Sequence, residues 1–159
     1  MIGLLKKIFS GFAMPKPAGP PKLLASINRN SVNLISEHAQ WSGDTLVVNS
    51  ASAETIRIFE FDLKDAEQCI LGLRFEMSTQ DLESHSYPEM WLRIPGRGEF
   101  FSKGLQFKTK GTNAWSSCEL PFFLKAGQKA DLLKLNLVFG GAGVISLQNL
   151  ELYATPLEG

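Results

Sequence analysis

Apolar and polar residues alternate with a period of two along most of the chain beyond residue 31. The clearest run is Cys69–Ser78, in which every second residue from the first is apolar. Because side chains of an extended chain point alternately to opposite sides, this pattern predicts a strand with one buried face. The same period predicts seven further strands, at Thr45–Ser50, Thr55–Leu63, Glu89–Ile94, Gly104–Lys110, Ser116–Phe122, Leu133–Phe139 and Val144–Tyr153.

Turn-forming residues separate these strands, and no helical period lies between them. Pro95-Gly96, Ala126-Gly127 and the run Gly140–Gly143 are examples. Half-buried strands joined by short turns predict an all-β fold, specifically an antiparallel β-sandwich of jelly-roll type. The expected core includes Phe61, Leu71, Leu73, Phe75, Leu92, Leu120, Leu135 and Leu137.

Two local irregularities interrupt the strand pattern. The apolar residues change phase between Ile58 and Phe59, which predicts a β-bulge at that point. The stretch Gln80–Pro88 is polar, and we predict a loop there.

The first 14 residues follow a helical period instead. Their apolar residues cover about half of a helix circumference, and Pro15 ends the helix. We therefore predict an amphipathic helix at 1–14, a Pro-rich linker at 15–24 and the sandwich at 25–159. The residues expected to contact a membrane or a partner are Ile2, Leu5, Lys6, Lys7, Ile8, Phe9 and Phe12.

So short an apolar helix needs a surface that covers it. Three surfaces remain open: a membrane interface, a groove on a partner protein or on a second copy, and the chain's own sandwich. Lys6 and Lys7 interrupt the apolar stretch instead of preceding it, which argues against a secretory signal. We expect a cytoplasmic protein that is peripheral at the inner face of the membrane.

Composition narrows the function classes. The 159 residues are enough for one domain, and 16 basic residues balance 16 acidic ones. This zero net charge argues against a nucleic-acid binder. Cys69 and Cys118 both lie in apolar alternating runs, so buried free thiols are expected, and a disulfide between neighbouring strands is the alternative.

Signatures of catalysis are missing from the sequence. It contains no nucleophile elbow, P-loop, dinucleotide fingerprint or paired-histidine metal motif. The two histidines and two cysteines lack ligand spacing, so neither a metal nor a cofactor is expected. His85 lies in the predicted loop and Glu89 directly follows it, and a hydrolase or lyase that uses this pair is the alternative hypothesis.

Aromatic residues offer a different chemistry. Trp91 and Arg93 alternate with Met90, Leu92 and Ile94, so they project from the face opposite the core. An exposed tryptophan beside an arginine can stack on a sugar ring and hydrogen-bond its hydroxyl groups. The alternative is an edge tryptophan packed on the arginine stem.

The stretch from about Ile70 to Tyr153 resembles a small galactose-binding-like jelly-roll domain, which is found in bacterial hypothetical proteins and appended to some transcription regulators. The resemblance implies a sandwich that binds ligands through loops and exposed aromatic residues. It is carried by Leu71-Gly72-Leu73-Arg74, by Trp91-Leu92-Arg93, by Phe101, by Gly111-Thr112 with Trp115, and by Gly141-Ala142-Gly143.

The leading hypothesis is therefore a non-catalytic binding module for a glycan or a protein, held at a membrane surface by its N-terminal helix. Its expected ligand-binding residues are Trp91, Arg93 and Trp115. A membrane-associated or self-assembling scaffold protein, including a homo-oligomer, is a further alternative.

Overall fold

The computed structural model describes residues 16–158, and the helix predicted at 1–14 lies outside them. The described chain contains nine strands and one 3₁₀ turn at Leu105–Phe107. The strands are β1 Lys22–Ile27, β2 Ala39–Ser42, β3 Thr45–Ser50, β4 Glu54–Ala66, β5 Cys69–Ile94, β6 Gly98–Lys103, β7 Thr109–Leu124, β8 Ala130–Phe139 and β9 Gly143–Pro156.

The strands form two antiparallel sheets, which confirms the predicted β-sandwich. Sheet 1 has the order β2-β3-β9-β5-β7, with β1 beside β9, and sheet 2 has the order β4-β8-β5-β6. The long strand β5 belongs to both sheets. Its residues 69–80 pair with β9 in sheet 1, and its residues 87–94 pair with β8 in sheet 2. Asp81, with φ of +52°, directly follows the part that pairs with β9.

Alternating apolar side chains from both sheets fill the space between the layers. Leu71, Leu73 and Leu92 are fully buried, and so are Leu120, Leu135 and Leu137. Each such side chain contributes about 1.5–3 kcal/mol when it leaves water. Of the predicted core residues, Phe61 is the one that is only partly buried; it packs against the edge of the core.

The predicted bulge in β4 is confirmed, because its register with β8 shifts between Arg57 and Phe59. The shift allows Ile58 and Phe59, neighbours in sequence, both to be buried.

Two other local predictions are wrong. The stretch Gln80–Pro88 is not a loop, because β5 continues through it and pairs irregularly with β7. The strand predicted at Gly104–Lys110 is also wrong for most of its length: β6 ends at Lys103, a 3₁₀ turn occupies Leu105–Phe107, and β7 begins only at Thr109.

Both cysteines are buried free thiols. Cys69 pairs with Leu124 at one end of the β5–β7 ladder, whereas Cys118 pairs with Phe75. Six residues of β5 separate the two positions, about 20 Å, so no disulfide can join them. Burial raises the pKa of Cys69 to about 11 and that of Cys118 to about 12.

The Pro-rich stretch lies against sheet 1. Ala18 donates its backbone N–H to the carbonyl of Pro156 at 2.7 Å, and Pro17 bridges to Leu157. Strand β1 begins at Lys22, inside the stretch predicted as linker. Within residues 16–158, no helix has the length and apolar character needed to cross a membrane.

Candidate functional site

The outer face of sheet 2 carries a patterned set of aromatic and polar side chains, which we call the platform. It has three rows of four residues, one from each strand in the order β4, β8, β5 and β6. The rows are Arg57-Asn136-Glu89-Lys103, Glu60-Lys134-Trp91-Phe101 and Asp62-Leu132-Arg93-Glu99.

Two aromatic rings lie side by side in the middle row. The ring centroids of Trp91 and Phe101 are 5.1 Å apart, and the ring planes are inclined by 53°. Phe101 is 50% exposed, and Trp91 is partly exposed. Tyr87 lies four residues before Trp91 on the same face of β5, about 13 Å away along the strand. The platform therefore offers aromatic surface along its length.

A buried carboxylate fixes the orientation of the tryptophan. The indole N–H of Trp91 donates to Glu89 Oε1 at 3.0 Å, and the side-chain amide of Asn136 donates to the same oxygen at 3.1 Å. Asn136 in turn accepts a bond from Nε of Arg57 at 2.9 Å. This chain of polar groups crosses three strands. Glu89 is 7% exposed and Asn136 is 3% exposed, so these two have little access to water, whereas the Arg57 side chain is 39% exposed. The bond to Glu89 favours the observed orientation of the Trp91 indole.

Ion pairs surround the aromatic pair. Lys134 Nζ lies 2.6 Å from Glu99 Oε1, and Arg93 makes two hydrogen bonds to Asp131 at 2.8 and 3.0 Å. The hydrogen bond from Lys134 lowers the pKa of Glu99, and the bonds from Arg93 lower the pKa of Asp131. Arg57 lies 3.6 Å from Glu60. These three basic side chains of the platform are thus already neutralised within the protein.

A polar cleft borders the platform on its β4 side. It has a volume of about 370 Å³ and lies between β4 and the segment before β2. Its polar lining comes from Ser31, Asn33, Glu60 and Asp62. The last two also belong to the platform, so the cleft continues the platform with further hydrogen-bonding groups.

The structure brings two of the three predicted ligand-binding residues together. Trp91 and Arg93 share the platform, whereas Trp115 lies on β7 in sheet 1, which contributes nothing to this face. The trio predicted from the sequence is therefore not a single site. Trp115 is 41% exposed and belongs to a different surface.

The alternative acid–base pair is separated as well. His85 is exposed in the irregular part of β5, about 13 Å along the strand from Glu89. Glu89 is engaged by Trp91 and Asn136. Within the described residues, no cluster of His, Cys, Asp or Glu side chains is suited to hold a metal ion.

Sequence reasoning did not assign Phe101 to the ligand-binding residues, although it carries part of the resemblance. It also missed Asn136 and the role of Glu89 as a partner of Trp91. The only local signal was the pair Phe100-Phe101 between charged residues. Asn136 gave no signal, because it bonds to a residue 47 positions earlier.

Comparison with solved structures shows the fold class. The chain is similar to the CBM22-1 xylan-binding domain from Paenibacillus barcinonensis Xyn10C, with TM-score 0.54 and 10% identity over 94% of this chain and 92% of that one. It is also similar to a mutant form of a family 29 carbohydrate-binding module, with TM-score 0.54 and 13% identity over 86% of this chain and 92% of that one. A family 16 carbohydrate-binding module gives TM-score 0.50 and 7% identity over 77% and 84% of the two chains.

No family model matches the sequence, and neither does any of the curated proteins compared with it. The similar structures are β-sandwich carbohydrate-binding modules, and at these identities the likeness concerns the fold.

Proposed function

We propose that this protein is a non-catalytic module that binds a neutral glycan along the platform of sheet 2. The observation that carries the proposal is the pair Trp91–Phe101, half exposed in the middle row of a face whose other side chains, except Leu132, can form hydrogen bonds. Sugars present apolar C–H faces and hydroxyl edges, and aromatic rings beside fixed polar groups match both. Solved modules of similar fold have been complexed with mannohexaose and cellulohexaose.

Charge favours a neutral ligand. Arg57, Arg93 and Lys134 each have a carboxylate partner, and Lys103 lies over the ring of Phe101 at 5.0 Å. An acidic polysaccharide would have to break these ion pairs before its own acidic groups could pair with the basic side chains. Hydroxyl groups, by contrast, can bond to the paired side chains as they stand.

The test compares two tryptophans on opposite sheets, the partly exposed Trp91 and the exposed Trp115. Trp91→Ala and the control Trp115→Ala are each titrated calorimetrically with mannan, xylan and cellulose oligosaccharides. We expect Trp91→Ala to weaken binding at least tenfold, about 1.4 kcal/mol, because a central aromatic contact is lost. Trp115→Ala should bind like the unmodified protein. Equal losses in both variants, or no binding of any neutral glycan, would overturn the proposal.

We also propose that residues 1–14 hold the module at a membrane surface, as an inner-face peripheral protein. Support comes from their apolar spacing and their lysines. The described chain begins at Lys16, beside Glu158, and residues 17–21 then lie over the outer face of sheet 1. Residue 16 thus adjoins a segment that covers sheet 1, whereas the platform is on sheet 2, so a tether through residues 1–14 is compatible with an accessible platform.

A further inference from the structure

Strand β6 is an edge strand that carries unusual apolar exposure. In the described chain its strand pairing is with β5 alone. Phe100 is 41% exposed and Phe101 50% exposed, and both lie on this edge. Natural sheets usually protect such edges with charges, bulges or covering segments, because a free edge recruits another strand. This edge carries two charges, Glu99, which already accepts Lys134 at 2.6 Å on its own sheet, and Lys103, whose ammonium lies over the Phe101 ring at 5.0 Å. Their positions on the strand also suit a second copy of β6.

The direction of the free backbone groups on β6 follows from one hydrogen bond. Gly104 donates its N–H to the carbonyl of Pro88 at 2.8 Å, which continues the β5–β6 register. In an antiparallel ladder, hydrogen-bonded and non-bonded pairs alternate. Ser102 and Phe100 therefore bond to β5, whereas Glu99, Phe101 and Lys103 direct their N–H and C=O groups outward.

These three outward residues are self-complementary about Phe101. When a second β6 approaches antiparallel with Phe101 facing its own copy, Glu99 of each chain faces Lys103 of the other. All three positions then fall on hydrogen-bonded pairs, and the non-bonded positions are filled by Phe100 facing Ser102. Opposite charges directly across an antiparallel pair stabilise it, and so does a pair of aromatic rings.

We propose that β6 pairs with β6 of a second copy and joins the two copies of sheet 2 into one continuous sheet. The partner is specified by the register: backbone groups, charges and rings all match at the same two-fold axis. The contact is one short strand, smaller than a standard interface, so the dimer is weak and concentration-dependent. This dimer does not depend on the proposed glycan binding, and it is measured without glycan.

The consequence for the platform follows from symmetry. The two-fold axis of an antiparallel strand pair is perpendicular to the sheet, so both platforms face the same side. The row of Trp91 and Phe101 continues into Phe101 and Trp91 of the partner. Two platforms on one ligand chain bind more tightly than one, because the second contact is intramolecular.

Sedimentation velocity at concentrations up to about 1 mM tests the proposal. The unmodified protein should show a monomer–dimer equilibrium. Lys103→Glu and Glu99→Lys each place two like-charged pairs across the contact, and each should weaken the dimer roughly tenfold or more. Lys103→Pro removes an outward N–H without touching the β5 ladder and should do the same. Lys129→Glu, an equal charge change at an exposed position outside the strands, is the control.

Mixing the first two variants gives the decisive result. Lys103→Glu together with Glu99→Lys restores opposite charges at both pairs, so the mixture should form a heterodimer although neither variant dimerises alone. Circular dichroism verifies that each variant is folded. A monomeric unmodified protein at the highest concentration, a dimer that tolerates Lys103→Glu, or folded variants that fail to associate on mixing would each overturn the proposal.

Discussion

The substitution Glu89→Leu tests whether the buried carboxylate organises the platform. Leucine is similar in size to glutamate but accepts no hydrogen bond. It would leave the Trp91 indole N–H and the Asn136 amide without their common acceptor. Glu89→Gln is the matched variant, because its carbonyl oxygen can still accept both bonds while the charge is removed.

The magnitudes follow from burial. A buried donor that is left without a partner lowers the free energy of unfolding by about 1–3 kcal/mol. Asn136 is only 3% exposed, so its amide cannot bond to water instead and the full cost applies. Trp91 is only partly buried, so its N–H can reach water and costs less. We expect Glu89→Leu to lower the free energy of unfolding by about 2–3 kcal/mol, and Glu89→Gln by about 1 kcal/mol or less.

Urea unfolding monitored by tryptophan fluorescence and circular dichroism measures both variants. Glu37→Leu, a change of the same type at an exposed position, should leave the free energy of unfolding nearly unchanged. The reasoning fails if Glu89→Leu is as stable as Glu89→Gln, since the two donors would then have found other partners at no cost.

Two further results are expected. The double variant Leu5→Asp/Phe9→Asp should float less well with anionic liposomes than the unmodified chain, and equal flotation would exclude the membrane proposal. Point substitutions are used instead of a truncation because residues 17–22 contact sheet 1. Stability should also depend on acid through Glu99. The pKa of Glu99 is lower in the folded state than in the unfolded state, so its ion pair with Lys134 stabilises the fold fully at pH values above the ordinary carboxyl pKa. This contribution is lost as the pH falls through the lowered pKa. The difference in unfolding free energy between the protein and Lys134→Met should therefore shrink on acidification, and a difference that is constant with pH would contradict this.

How far the sequence predicts this structure depends on whether a signal is local. The alternation of apolar and polar residues along the chain predicts the strand Thr45–Ser50 and the bulge after Ile58, and the structure contains both. Strand β6 is missed by this pattern because Phe100 and Phe101 are adjacent and break the period of two. Its pairing with β5 decides its structure, and pairing is a contact between distant segments.

The site residues also divide into those that the local sequence pattern indicates and those that contacts between distant segments determine. Alternation alone shows that Trp91 and Arg93 point away from the core, and the structure places both on the platform. Trp115 joins them only through the resemblance to a galactose-binding-like domain, which does not tell which sheet a residue belongs to, and this residue lies in sheet 1. Glu89 is a catalytic candidate in the sequence only through its proximity to His85. Its actual partners are set by the β5–β8 register, which no local pattern reveals.

The two proposed contacts, that of residues 1–14 with a membrane and that of β6 with β6 of a second copy, can form at the same time. Residues 17–21 lie over sheet 1, while the platform occupies the outer face of sheet 2. A dimer formed through β6 has its two-fold axis perpendicular to sheet 2. Both copies then direct their platforms to one side and the segment 17–21, which covers sheet 1, to the other. A membrane contacted by residues 1–14 would then hold two chains at once, which raises the effective concentration of β6 for its partner.

A contact too weak to dimerise the protein in dilute solution would form readily on such a surface. Dimerisation should therefore be stronger on anionic liposomes than in solution, and the Lys103→Glu change should weaken it in both settings.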